Sequence, residues 1–449
     1  MTLLVRPARL VLAVSGGSDS VGLLMTFADH VKALPDRDVD LVVATIDHAL
    51  RPASAQEALD VGLLCAELGI PHVIRRWEGD KPKSGISAAA REARYRLLME
   101  IADTVGADAI VTGHTADDQA ETIAMRASRN ASPDNRGLSG MAEAVLVDGR
   151  RWLLRPFLST PRADIRRMLT EKGRGWIDDP SNEDRHYERV RMRQALALPA
   201  GLAADGMAGA ETDCDRGEGG NRDNGAGETG AVDAMARRAS LSDKAAELAE
   251  RHLTILHGVL ARFDIAGLNA EPDVRRHLFS VLAAVLGGQP HLMAARTVTR
   301  VSAFVDGGLA GRITAGRVIF DRRRDALYLQ RESRDLPMIS LEAGEAALWD
   351  GRYRIHNLSS ASVTVGPGVA ERAVAMAEFP DVPPAIAMRA VAVMPSIEGK
   401  NEHIRVRPVL QPFDRFLPLF DLKLAGTLAE LIGCDVFVAP PIKLSARKS

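Results

Sequence analysis

The sequence is poor in cysteine and in aromatic side chains, and it has no long apolar run. Its three cysteines, Cys65, Cys214 and Cys434, stand far apart and form no Cys-x-x-Cys pair. That excludes a disulfide framework and a zinc ribbon, and it fits a reducing compartment. Phe, Trp and Tyr make up 4% of the chain, too few for a surface that reads nucleic acid by extensive base stacking. No apolar stretch reaches the roughly 20 residues of a membrane span. A first strand expected within about ten residues of the N-terminus leaves no room for a cleavable signal. The expectation is therefore a cytoplasmic protein with no membrane partner. Formal net charge is −2, so no global basic field announces nucleic acid, although arginine far outnumbers lysine and clusters locally. No internal repeat is visible.

What is present points elsewhere. The chain has 449 residues, 46% hydrophobic and 26% charged, enough to bury cores in about two to four domains. Residues 11–20 read VLAVSGGSDS. The apolar run Val11–Val14 predicts a buried strand, Ser15-Gly16-Gly17-Ser18-Asp19-Ser20 a turn, and Val21 onward a helix. Strand, glycine turn and helix N-terminus aim backbone N–H groups at a phosphate, and glycines let the backbone approach the anion closely. Ser15, Ser18 and Ser20 add hydroxyl donors. Asp19 would repel phosphate unless Mg²⁺ stands between them. No Gly-Lys-Ser/Thr follows, so the turn is not a Walker A loop, and the third glycine of the dinucleotide fingerprint is missing.

Apolar strands and helices alternate from Leu10 to about Phe157. Strands are predicted at 39–46, 71–76 and 109–112, and helices at 55–68, 87–105 and 116–127. The fold class this implies is α/β, a doubly wound parallel sheet, with ligands at the carboxyl ends of its strands. Residues 199–239 are rich in Gly, Ala, Asp and Glu and predict a flexible linker. The helical pattern of 240–335 (LSDKAAELAERHLTILHGVLARF and two further runs) predicts a helical domain closed by a hairpin of 316–320 with 326–330. Residues 336–449 read as a small β-rich region, with strands at 363–365 and 404–409. The expected domains are thus 1–198, 240–335 and 336–449.

Four further constellations carry chemistry. Asp47-His48-Ala49-Leu50-Arg51 follows the second strand, beside any nucleotide on the first turn. Arg91, Arg94 and Tyr95 share a helix face, which suits either a solvated basic face or contact with phosphate. In Gly113-His114-Thr115-Ala116-Asp117-Asp118-Gln119-Ala120-Glu121-Thr122, His114 with Asp118 and Asp117 with Glu121 are spaced by four at a helix start. The helix dipole favours carboxylates there, and such a cluster also suits Mg²⁺ on pyrophosphate or an ammonium group. Arg155-Pro156-Phe157, Arg162-Ala163-Asp164-Ile165, Asp178–Glu183 and Arg189-Val190-Arg191-Met192-Arg193 complete the series.

In this order the motifs resemble those of the tRNA(Ile)-lysidine synthetases, members of the PP-loop ATP-pyrophosphatase superfamily whose SGGxDS loop binds pyrophosphate. The resemblance is dense over about residues 10–195 and diffuse beyond. The chain departs from the family where Asn130–Arg136 separate Arg129 from Gly137-Leu138-Ser139-Gly140-Met141. The resemblance implies that ATP activates the wobble cytidine of a CAU-anticodon tRNA(Ile), and that free L-lysine then displaces AMP to form lysidine. It implies that Ser15, Gly16, Gly17, Ser18, Asp19 and Ser20 bind ATP and that Asp19 and Asp118 hold Mg²⁺. Lysine would be held by His114, Asp118 and Glu121, which with Asp19 form the catalytic set, and tRNA by Arg91, Arg94 and Arg193. A homodimer is left open. Two alternatives stand beside this reading: another PP-loop enzyme such as a tRNA thiolase, and a catalytically silent RNA- or nucleotide-binding protein.

Overall fold

The computed structural model describes residues 4–34, 38–82, 84–129, 139–178, 191–192, 225–399 and 403–443, with 225–232 as backbone only. These divide into two compact units. One comprises the described residues of 1–146, 150–236 and 439–449, the other 147–149 and 237–438.

The first unit is built on a twisted sheet. β1 (Ala8–Ala13), β2 (Val39–Asp47), β3 (His72–Arg76) and β4 (Ala109–Thr112) alternate with α1 (Ser18–Lys32), α2 (Ser54–Leu68) and α3 (Ile86–Thr104). α4 (Ala116–Arg129), β5 (Ala144–Val147), β6 (Arg151–Leu154) and α5 (Arg162–Glu171) follow. Within this unit the strands run β5-β6-β4-β1-β2-β3. β1 is parallel to both neighbours, with Leu10 opposite Leu41 on one side and Ala109 on the other. Leu10, Val11 and Leu12 are essentially inaccessible, because helices cover both faces and a central parallel strand is apolar throughout. The predicted α/β sheet is what forms.

The chain leaves β1 towards β2 and β3, and later returns to the other side of β1 as β4. Strand order therefore reverses at β1, and a crevice opens at the carboxyl ends of β1 and β4. Two glycines let the surrounding elements close on it. A Cβ on Gly113, just after β4, would lie 2.6 Å from the Asp19 carbonyl oxygen. A Cβ on Gly22 in α1 would lie 2.3 Å from Ile165 Cγ2 in α5, where Val21, Met25, Ile165 and Leu169 form a small core.

The second unit takes α6 (Gly225–His252) from Arg237 onward, then β7 (Leu253–Leu256) and β8 (Leu260–Asp264), followed by α7 (Pro272–Gly287) and α8 (Ala295–Asp306). β9 (Gly311–Ala315), β10 (Val318–Arg322) and β11 (Ala326–Arg331) complete a sheet of order β7-β8-β11-β10-β9. β8, β10 and β11 are antiparallel to their neighbours. Next come β12 (Ile339–Leu341), β13 (Ala346–Trp349), β14 (Tyr353–Asn357), β15 (Val363–Pro367), α9 (Arg372–Glu378) and α10 (Pro384–Ala392). β16 (Pro395–Glu398), β17 (Ile404–Pro408), β18 (Phe416–Pro418) and α11 (Leu422–Ile432) end the described chain. Two three-stranded antiparallel sheets, β12-β15-β16 and β13-β14-β17, lie in this part.

Three expectations need correction here. The helical pattern read through 253–263 breaks at His252, and β7 and β8 form a hairpin there. His257 (φ 50°) and Gly258 (φ 68°) supply two consecutive left-handed residues, the Val259 N–H closes the turn on the Leu256 carbonyl with Leu256 opposite Leu260, and Ile255 and Phe263 suit a pleated surface. The part of the expected linker from 225 to 239 belongs to α6, where alanine favours helix and Ala239, Ser242, Ala245, Ala246 and Ala249 are buried. Residues 199–224 lie outside the described residues. The C-terminal region, read as β-rich, also holds α9, α10 and α11, whose alanine-rich apolar stripes (Ala375; Ile386, Ala387, Ala390; Leu424, Ala425, Leu428) are buried.

Candidate active site

The turn after β1 is ordered by its own side chains. Gly16 is left-handed (φ 91°), and its carbonyl accepts the Ile177 N–H at 2.9 Å. A Cβ on Gly16 would meet Ile177 Cδ1 at 2.7 Å. The Ser20 hydroxyl donates to the Gly17 carbonyl (2.9 Å) and accepts the Ser15 N–H (3.1 Å). α1 starts at Ser18 with Gly17 as its N-cap, and no side chain caps it. Its first N–H groups therefore face the crevice with the positive end of the dipole.

Across the crevice, α4 begins just after β4. Asp118 Oδ2 accepts the Thr115 N–H (2.9 Å) and hydroxyl (3.0 Å). His114 Nδ1 lies 2.9 Å from the Thr112 hydroxyl. Glu121, one turn further along α4, is buried. The two acidic elements meet at one cation, Arg162, the first residue of α5. Arg162 Nε donates to Asp19 Oδ2 at 2.9 Å, and a terminal nitrogen lies 3.5 Å from Asp118 Oδ2. Its backbone N–H donates to Asp117 Oδ2 at 2.8 Å. Burial lowers the Arg162 pKa, but Asp19 and Asp118 outweigh it, so the guanidinium is held above its ordinary value.

A divalent cation shared by Asp19 and Asp118 fits this donor set. Mg²⁺ takes one or two protein carboxylates and completes its shell with phosphate oxygens and water. One guanidinium reaches both carboxylates, through Nε to Asp19 and a terminal nitrogen to Asp118. Among the described residues no group of three or more His, Cys, Asp or Glu forms a closed metal cage.

Flanking walls carry the remaining motifs. Asp47 ends β2 and is buried. Burial pushes its carboxyl up, but the Ser54 hydroxyl (2.6 Å) and the Ala49 N–H (2.8 Å) hold it below the usual range. His48 packs edge-on against Trp77, and burial together with Arg94 pushes its pKa down, keeping it neutral. On α3, the Arg91 guanidinium lies 4.9 Å from the Tyr95 ring centre. Burial raises the Tyr95 phenol, but Arg91, Arg155 and Arg94 together hold it below its ordinary value. Burial and Arg91 lower the Arg126 pKa. Arg91, Arg94 and Arg155 thus form one positive field around Tyr95, and Arg126 adjoins it through Arg91.

A family model described as the PP-loop domain matches residues 3–199. The tRNA(Ile)-lysidine synthase of Rhizobium meliloti (strain 1021) is 40% identical over 98% of this chain and 94% of its own length. This chain belongs to the tRNA(Ile)-lysidine synthase family. The tRNA(Ile)-lysidine synthase of Mesorhizobium japonicum is 38% identical over 96% of this chain and 94% of its own length. A solved structure, the U34-tRNA thiolase NcsA from Methanococcus maripaludis with its [4Fe-4S] cluster, matches 44% of this chain and 74% of its own. Its TM-score is 0.34 at 14% identity, too distant to carry an argument. Membership of the lysidine synthase family makes the chain an ATP-dependent ligase with a PP-loop nucleotide-binding domain. No helix among the described residues is long and apolar enough to cross a membrane.

The structure brings together Ser15–Ser20, Asp19 and Asp118, with His114 beside Thr112 and Glu121 one turn beyond Asp118. Arg91 and Arg94 share their field with Arg126 and Arg155, which were not singled out as phosphate ligands. Arg193 and the 130–138 loop lie outside the described residues. Arg162 was read only as part of a motif, yet it is the residue on which both acidic elements converge. A signal existed in the sequence, a helix start at Pro161-Arg162, but only the fold supplies its partners. Cys65 is buried and its thiol is pushed up to about 11, which gives a thiolase-type nucleophile no support there.

Proposed function

We propose that this chain ligates free L-lysine to the wobble cytidine of a CAU-anticodon tRNA(Ile), so that the tRNA reads AUA as isoleucine. The observation that carries the reading is the pairing of Asp19 and Asp118 with one side chain, Arg162, beside the Ser15–Ser20 turn, in a chain of this family.

The ring carbonyl of cytosine cannot leave as it stands. Its oxygen attacks the α-phosphorus of ATP, the α–β bridging P–O bond breaks, and pyrophosphate departs. The lysine ε-amine then attacks the activated ring carbon, the C–O bond to AMP breaks, and the amine loses a proton. The Ser15–Ser20 turn and the N-terminus of α1 would hold the triphosphate. Asp19 and Asp118 would hold Mg²⁺, which when bound neutralises charge on the phosphates. His114, Asp118 and Glu121 would line the lysine pocket, a carboxylate first holding the ammonium and then taking its proton. Arg91, Arg94 and Arg193 would meet tRNA phosphates, with Arg126 and Arg155 extending the field of the first two.

Mass analysis of unmodified CAU-anticodon tRNA(Ile), incubated with protein, ATP, Mg²⁺ and lysine, tests this. The expected result is a lysine adduct on one cytidine with stoichiometric AMP and pyrophosphate. No adduct, or sulfur at that position, would overturn it.

A further inference from the structure

We propose that Arg162 exchanges partners during the reaction. Its guanidinium pairs with Asp19 and Asp118, and when a divalent cation takes those carboxylates it turns to the phosphates of ATP. The proposal rests on the ATP site described above.

Asp19, Asp118 and Arg162 form a closed electrostatic group, with side-chain exposures of 20%, 14% and 17%. Two carboxylates facing each other at that depth need a counter-ion, and Arg162 is the cation paired with both. Both oxygens of Asp19 and Oδ2 of Asp118 are already engaged. Asp19 Oδ1 accepts the Ser18 hydroxyl (3.0 Å) and Oδ2 accepts Arg162 Nε (2.9 Å). Asp118 Oδ2 takes the Thr115 N–H and hydroxyl besides facing the guanidinium.

A metal ion that takes the two Oδ2 atoms facing Arg162 must therefore displace a donor. The Thr115 N–H is backbone and cannot leave without unwinding the start of α4. Arg162 can leave by side-chain rotation alone, because its own N–H stays anchored on Asp117 Oδ2. A displaced guanidinium in a half-buried site is costly unless a new anion meets it. The triphosphate on the adjacent turn is that anion, and the planar fork of arginine matches two phosphate oxygens at once. Arg162 would then carry charge compensation from the two carboxylates to the departing pyrophosphate.

The test uses the full chain with R162A and R162K, their folding checked by circular dichroism melts. Mn²⁺ alone is titrated into the ligand-free proteins and followed by electron paramagnetic resonance. R162A should bind it about tenfold more tightly than wild type, since a competing cation is gone, and R162K close to wild type. Inorganic pyrophosphate, added with saturating Mg²⁺, should inhibit R162A more weakly than wild type. tRNA-dependent pyrophosphate release should fall about 10²-fold in kcat for R162A. Unchanged Mn²⁺ affinity in folded R162A overturns the proposal. Tighter Mn²⁺ with unchanged pyrophosphate inhibition also overturns it, leaving Arg162 as a static clamp. If R162A fails to fold, R162K decides: weaker pyrophosphate inhibition supports the fork, and wild-type inhibition overturns it. A wild-type protein that releases no pyrophosphate with tRNA refutes the ATP-dependent reading instead, while the Mn²⁺ comparison stays measurable.

Discussion

Gly113→Ala tests how tightly the two halves of the crevice are held together. The added methyl would meet backbone: the Asp19 carbonyl oxygen at 2.6 Å, its carbon at 2.9 Å and the Ser20 nitrogen at 3.2 Å. Ordinary contacts for such a carbon lie near about 3.5 Å, so the end of β4 and the first turn of α1 must separate by roughly 0.5–1 Å. No rotamer relieves the overlap, and overpacking of this kind costs about 1–3 kcal/mol. The larger effect falls on the reaction. Asp19 sits on α1 and Asp118 at the start of α4, which follows β4 directly; catalytic constellations tolerate about 0.5 Å, and a misplacement of about 1 Å can cost ~10²-fold. The G113A protein should remain folded in urea denaturation, with a lower midpoint, and should lose ~10–100-fold in tRNA-dependent pyrophosphate release. Gly426→Ala is the control. It lies inside α11, where a Cβ meets nothing within 4 Å, and it should raise stability by about 0.5–1 kcal/mol with unchanged turnover. Wild-type turnover in G113A would refute the claim that β4 and α1 register sets the distance between the carboxylates.

Other outcomes follow from the same site. Asp19→Asn keeps shape and removes charge, so pyrophosphate release should fall about 10²-fold with little change in melting temperature; near-normal release would remove Asp19 from the phosphate site. Glu121→Gln should weaken lysine use far more than lysine-independent pyrophosphate release, and equal loss of both would move Glu121 to the metal. Changing Arg91 and Arg94 together to Ala should raise KM for tRNA and flatten the salt dependence of tRNA binding, leaving KM for ATP and lysine nearly unchanged. His48 is held below its ordinary pKa by burial and by Arg94, so the unfolded chain binds its proton first as pH falls. Stability from this residue is present above about 6.5 and declines as pH falls through the window below it. His48→Gln should flatten the pH dependence of the urea midpoint between pH 7 and 5, and an unchanged slope would contradict the depressed value.

Much of the first unit was legible because its signals are local. A buried strand, a glycine turn and a helix start occupy neighbouring residues around Gly16, and the observed α3 and β4 bounds match the periodicity to within a residue. The hairpin at His257-Gly258 was missed because leucine, isoleucine and phenylalanine also fit a helix period, and the turn dipeptide is not one of the commonest. α9 and α10 were missed because they are short and lie between strands, and α11 because its leucine-rich run looks much like the strands before it.

The sequence by itself determined which chemistry is available: a phosphate-facing turn, a pair of aspartates at helix starts, and a basic helix face. Only the tertiary structure decided which of these groups meet. Asp19 and Arg162 are separated by 143 positions, and no periodicity relates them. They touch because strand order reverses at β1, bringing the ends of β1 and β4 to one crevice, and because Gly22 lets α5 close on α1. Side-chain partnership over such separations is a property of strand order and close packing, which local residue pattern does not encode.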